Sequence, residues 1–324
     1  MKNPEFLKFI NVGAEKLGAK SMSCSDDFFA EKENLLKEGR GVFIADKYTD
    51  RGKWMDGWES RRKRIEGHDW CIVKLAETSI IKGVDVDTNH FLGNHPPYCS
   101  IEACNSRSGD SESSEWFEIL PKSPLDPGSQ HFFEILNDSQ WTHVKLHIYP
   151  DGGVARLKIY GEVKKNWEQV SNNELIDLAA AINGGKSINC NDMFFSHMDN
   201  LIMPGKGRNM GDGWETKRNR TPENRDWVMI KLAHKGLVKK IVVDTKHFKG
   251  NYPDTCSIDG CFAPNTDPQE QDWFSLLDRV KLGPDQEHIF EREILTDKML
   301  THIRLNIFPD GGISRLRVLG NIIR

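Results

Sequence analysis

The sequence predicts an all-β fold, two tandem jelly-roll β-sandwich domains produced by an internal duplication. Three observations carry that prediction. The first is the duplication: HVKLHIYPDGGVARLKIYG, from His143 to Gly161, aligns without gaps to HIRLNIFPDGGISRLRVLG, from His302 to Gly320, with ten identities in nineteen columns. The second is alternation with period two, Val144, Leu146 and Ile148 against Lys145, His147 and Tyr149, the spacing of a strand with one buried face. The third is punctuation by Gly and Pro, as in PDGG, which closes tight turns between short strands. Many short strands in a unit of roughly 150 residues suit a two-sheet jelly roll.

The elements follow in order. Residues 4 to 17 show helical periodicity, and KSMSCSDDFF (Lys20 to Phe29) opens the body of the first copy as KSINCNDMFF (Lys186 to Phe195) opens the second. The offset between copies is 166 residues at Lys20/Lys186 but 156 at Gly57/Gly213, so the first copy carries about ten extra residues between Ala30 and Met55. Next comes DGWESRRKR (Asp56 to Arg64), repeated as DGWETKRNR (Asp212 to Arg220). Residues 71 to 75, 80 to 86 and 100 to 103 read as strands, and residues 144 to 159 as a hairpin about the PDGG turn. The polar segment Gly161 to Asn173 joins the copies and precedes ELIDLAAAI, which reads as a helix over residues 173 to 183. A cut near residue 167 gives domains 1–166 and 167–324.

The 324 residues suit two domains of ordinary size. No stretch approaches the roughly 18 consecutive apolar residues of a membrane helix, and the N-terminus lacks the pattern of a secretion signal. A net charge of −4 gives no basic field for nucleic acid. Seven cysteines without a secretion signal favour reduced thiols. The C-terminus is not a Ser-Lys-Leu type address, so the cytoplasm is expected.

Several constellations hold residue types capable of chemistry. Cys99 with Cys104, and Cys256 with Cys261, sit five apart on strands and point to opposite faces, which argues against a shared metal ion. Asp85, Asp87 and His90 could ligate a hard cation, but Val242 replaces Asp85 in the second copy, and a polar strand end is the simpler reading. His90 and His247, and His143 and His302, occur in both copies and suit roles in the fold. Arg156 and Arg315 follow the PDGG turns and face away from Leu157 and Leu316; binding a ligand is one reading, and pairing with a nearby Asp across the hairpin is the default. The DGWE clusters are the strongest candidates. Glu59, Arg62 and Arg64 recur as Glu215, Arg218 and Arg220, a combination that a solvated, aggregation-resistant strand edge does not require. An arginine fork takes a carboxylate, and a neighbouring Glu can orient it or act as a base. His68-Asp69-Trp70 becomes Arg225-Asp226-Trp227, so a proton shuttle, if needed, points to the first copy; filling a hydrogen-bond niche is the alternative for His68.

Taken together, SDDFF, DGWESRRKR, GHDWCIVKL, GVDVDTNHFLGN and YPDGGVARL resemble the allantoicase family, and the likeness covers essentially the whole chain. The resemblance implies a pair of galactose-binding-like jelly rolls, a homo-oligomer, and hydrolysis of allantoate to ureidoglycolate and urea. On it, Glu59, His68 and Asp69 are the catalytic candidates, with Glu59 or His68 shuttling the proton. Arg61, Arg62 or Arg64 would hold the substrate carboxylate, and Trp58, Trp214, Glu215, Arg218 and Arg220 complete the substrate-binding set. The ureido arms do not by themselves demand a metal, so none is expected to be obligatory, and stimulation by a divalent cation stays open. The rival reading is a non-catalytic double module that binds carbohydrate, with Trp58 and Trp214 as stacking platforms.

Overall fold

The spine of each copy is a single 19-residue strand, Asp69–Asp87 in the first and Asp226–Asp244 in the second. The first half of Asp69–Asp87 pairs with Gln140–Tyr149 and Lys20–Cys24, the second half with Arg156–Val163 and Gln130–Glu134. The register breaks between Lys74 and Ser79, so one strand serves both layers of the sandwich. Tyr98–Cys104 and Phe117–Pro124 extend the first layer. A computed structural model describes residues 3–106, 114–266 and 268–324. It divides into two units, Met1–Lys164 and Lys165–Arg324.

The alternation that predicts the strands also fills the core. Val144, Leu146, Ile148, Leu157 and Ile159 are fully buried, as are Ile303, Leu305, Ile307, Leu316 and Val318 in the second unit; each such side chain contributes about 1.5–3 kcal/mol of apolar burial. Leu300–Phe308 departs from the pattern, because its outward Arg304 and Asn306 are buried as well. Arg304 is covered through ion pairs to Asp259 and Glu270, and Asn306 bonds Ser257 and Asp259. Buried polar side chains persist where such partners meet them.

The helical periodicity at the start of each copy does not become a helix. Residues 4 to 17 form two short 3-10 turns, Glu5–Lys8 and Glu15–Leu17, around the strand Ile10–Asn11, which pairs with Tyr160 and Gly161. Likewise Ile176–Asp177 pairs with Leu319 and Gly320, and only Ala181–Asn183 makes a 3-10 turn. Tertiary pairing overrides a weak local preference here, and Gly18 and Gly184 end both turns in the left-handed conformation. All seven cysteines are free thiols. Among the described residues, no helix is long and apolar enough to cross a membrane.

Candidate active site

The Asp-Gly-Trp-Glu segment is fixed residue by residue. Asp56 accepts at Oδ2 from Arg156 Nη2 (2.8 Å), and its carbonyl accepts from Arg156 Nη1 (2.9 Å). Asp212 and Arg315 repeat both bonds. Both arginines therefore serve as struts, joined to a partner a hundred residues away rather than across the hairpin. Trp58 and Trp214 are fully buried. Each indole N–H donates to a backbone carbonyl, Asp26 O and Asp192 O respectively, at 2.8 Å. The sequence placed these tryptophans on the substrate surface; the structure corrects this, since a buried ring with its only donor occupied supports the segment from beneath and offers no stacking face.

Trp58–Glu59 pairs with Gly153–Val154, the strand that leaves the PDGG turn. A Cβ at Gly153 would sit 1.9 Å from the Phe91 ring, as one at Gly312 would from Phe248; only glycine lets the turn approach so closely. The basic segment is then hung between two aspartates. Arg61 N and Nε donate to Asp26 (2.9 and 2.7 Å), and Lys63 N donates to Asp151 Oδ2 (2.7 Å). In the second unit Lys217 N meets Asp192 and Asn219 N meets Asp310, both at 2.7 Å. Arg61 is thus engaged by Asp26, whereas exposed Arg62 and Arg64 have no ion-pair partner among the described residues; the same holds for Arg218 and Arg220.

Glu59 is half-buried and its carboxylate accepts from Asn94 Nδ2 at 2.7 Å. Burial pushes its pKa up, and the Asn94 bond opposes that only in part. Glu215 is bonded to Asn251 in the same way. Around it lies a cleft of about 550 Å³ lined by Phe195, Arg218, Arg220, Asn251, Tyr252 and Asp310, among others. That volume falls within the range of small-molecule sites. A carboxylate, a side-chain amide and two unpaired guanidiniums converge there.

His68 and Asp69 go elsewhere. His68 Nε2 meets His147 Nδ1 at 2.9 Å, and His147 Nε2 meets Glu102 Oε2 at 2.8 Å, a carboxylate–imidazole–imidazole chain on the outer side of the sheet. Burial lowers both imidazole pKa values; Lys145 adds to this at His68, and Glu102 opposes it at His147. Asp69 is buried and bound by Ser25 Oγ (2.7 Å) and Lys63 Nζ (2.8 Å). Among the described residues, no hydrogen bond or ion pair joins His68 or Asp69 to Glu59. The second unit has no such chain, because Arg225, Asn306 and Asp259 stand at the matching positions. Because the folded-state values lie below the ordinary 6.5, this stability is fully present above pH 6.5 and is lost as pH falls below it. We expect the urea midpoint to fall between pH 7.5 and 5.5 by more in the native chain than in His147→Asn. Glu59 and Asp85, whose raised values act in the opposite sense, are common to both proteins.

Asp85, Asp87 and His90 do not converge on one point. Gln130 Nε2 binds Asp85 at 2.7 Å and Lys158 lies 3.6 Å from it, Arg40 grips Asp87 at 2.8 and 3.0 Å, and the His90 ring lies beside Phe43. Among the described residues, no group of three or more His, Cys, Asp or Glu side chains is placed to hold a metal ion.

A family model described as the allantoicase repeat matches residues 10–164 and again residues 176–323. The chain belongs to the allantoicase family. It is 51% identical over 325 residues to a probable allantoicase of Pseudomonas savastanoi pv. phaseolicola, with 98% of each covered. To a probable allantoicase 1 of Burkholderia mallei it is 48% identical, over 98% of this chain and 96% of that one. Its fold matches the crystal structure of allantoicase from Saccharomyces cerevisiae with a TM-score of 0.82 and 38% identity, covering 97% of this chain and 93% of that one. Within this allantoicase-family fold, sequence reasoning passed over three residues. Asn94 and Asn251 stood in both copies of the GN motif, a visible signal without a visible partner. His147, on an outward strand position, gave no signal that it would meet His68.

Proposed function

We infer that the chain is an allantoicase, hydrolysing allantoate to ureidoglycolate and urea. The observation that carries this is the allantoicase repeat matched across both copies, each of which holds a Glu–Asn pair beside two unpaired arginines. Allantoate carries one carboxylate and two neutral ureido arms on a tetrahedral carbon. The arginines suit the carboxylate as planar, permanently charged forks. Glu59 and Glu215 suit the proton transfers. The protonated acid gives its proton to the ureido nitrogen as the carbon–nitrogen bond breaks, the nitrogen of the remaining arm stabilises the electron-poor carbon, and the carboxylate then takes a proton from the water that adds there. Water supplies the hydroxyl of ureidoglycolate and restores the proton given to urea, so one residue serves as acid and then base. A raised pKa keeps more of Glu59 protonated near neutrality than a solvated carboxylate would be.

This reading selects Glu59 over His68 as the shuttle, because His68 is spent on His147. It selects Arg62 and Arg64 over Arg61, which Asp26 holds. Replacing Arg62 and Arg218 together by Gln is expected to raise KM for allantoate by about 10–100-fold, the loss of a charge-assisted bond of about 1.5–3 kcal/mol; an unchanged KM would remove these arginines from the site. No step requires a metal, so chelator-treated protein is expected to keep its turnover. A homo-oligomer in the cytoplasm is the expected assembly, with exposed Val42, Phe43, Ile44 and Tyr48 of the first-copy insertion as apolar surface for it to cover; light scattering measures the mass.

A further inference from the structure

The duplication supplies an internal comparison: two copies of one fold within one chain, free to diverge. Several polar positions have done so, although others, such as His90/His247, His143/His302 and Asp87/Asp244, have not. His68, Asp85, Glu102 and His147 of the first copy stand against Arg225, Val242, Asp259 and Asn306 of the second. The glutamate, asparagine and arginine set has not: Glu59, Asn94, Arg62 and Arg64 are matched by Glu215, Asn251, Arg218 and Arg220, although His95, Lys63 and Pro97 stand where the second-copy cleft has Tyr252, Asn219 and Asp254.

Packing does not explain this retention. The four arginines are exposed and have no ion-pair partner among the described residues, and surface positions of that kind change stability by no more than about 0.5 kcal/mol when replaced. The two glutamates are half-buried carboxylates, each held by an asparagine amide, a costly arrangement for a copy that only supports its neighbour. The scaffolding is repeated too: Asp26 and Asp192, Asp151 and Asp310, and the struts Arg156 and Arg315 make the same bonds in both units. Each unit thus carries a Glu–Asn pair and two exposed arginines among its own residues, gathered about one cleft in the second unit.

We propose that each chain carries two independent catalytic centres, one per repeat, each binding and hydrolysing its own allantoate. This rests on the glutamate reading above. The test compares Glu59→Gln, Glu215→Gln and the double variant, each checked for a native melting temperature and near-ultraviolet circular dichroism. Each single variant is expected to keep a measurable share of turnover, the two shares adding to about the native rate as independent sites do, while the double variant loses at least about 10³-fold. Equilibrium dialysis of labelled allantoate on the double variant is expected to give two molecules bound per chain. If one single variant falls to the level of the double and the other is unaffected, only one centre works and the proposal fails while the glutamate reading stands. If each single variant alone falls to that level, the clefts are not independent and the proposal fails. One molecule bound per chain also overturns it. Native turnover in the double variant overturns the glutamate reading itself.

Discussion

Replacing Glu59 and Glu215 together by glutamine is expected to lower kcat for allantoate by about 10³-fold, within the range of 10²–10⁴ that positioned acid–base groups contribute. The substitution preserves shape. The amide oxygen can still accept from Asn94 or Asn251, so both Glu–Asn pairs keep their geometry and lose only the group able to give and take a proton. KM is expected to change little, because the arginines that hold the substrate carboxylate remain. This split separates a proton-transfer role from a binding role. An equal loss in binding would mean that the glutamates hold ureido N–H groups and that the proton moves elsewhere; His68 would be the first residue to reconsider.

The second large effect is structural. Arg156→Ala is expected to destabilise the first unit by about 3–5 kcal/mol, the cost of breaking a buried ion pair. Arg156 is 2% exposed and makes bonds to Asp56 Oδ2, Asp56 O and Ala155 O. Its removal strands the Asp56 carboxylate. Burial alone would push that group up, yet the Arg156 bond and the Val42 N–H together hold it below its usual range. Urea denaturation checks the magnitude. The companion Asp56→Asn/Arg156→Met is expected to recover much of the loss, because an apolar side chain beside a neutral amide leaves no uncompensated charge. Glu59 lies three residues beyond Asp56 on the same segment, so Arg156→Ala should also lower turnover in the fraction that remains folded.

How much of this was legible in the sequence depends on the distance between interacting residues. The duplication and the sandwich could be read because their signals are local: identical strings, and alternation such as Val144, Leu146 and Ile148 that fills the core as expected. The glutamate and arginine clusters were legible for the same reason, since their repetition needs no fold to be seen. The contacts that give them meaning were not. Asp56 meets Arg156 a hundred residues away, Asn94 meets Glu59 thirty-five residues away, and His68 meets His147 across seventy-nine. Each joins loops or strands that only the jelly-roll topology makes neighbours. Trp58 misled for a related reason: an aromatic ring beside charges suggests a stacking platform, and its full burial follows from strand pairing with Val154. The helices expected at the start of each copy failed because Ile10–Asn11 and Ile176–Asp177 find sheet partners about 150 residues away.

Cleavage of allantoate by the chain's own side chains predicts product from the protein without added metal. The most direct test is to incubate the purified, chelator-treated protein with allantoate and to quantify urea and ureidoglycolate over time. Equimolar urea and ureidoglycolate, formed at a rate proportional to protein and absent from the Glu59→Gln/Glu215→Gln protein, is the predicted result. Failure of the chelator-treated native protein to form either product would contradict the account.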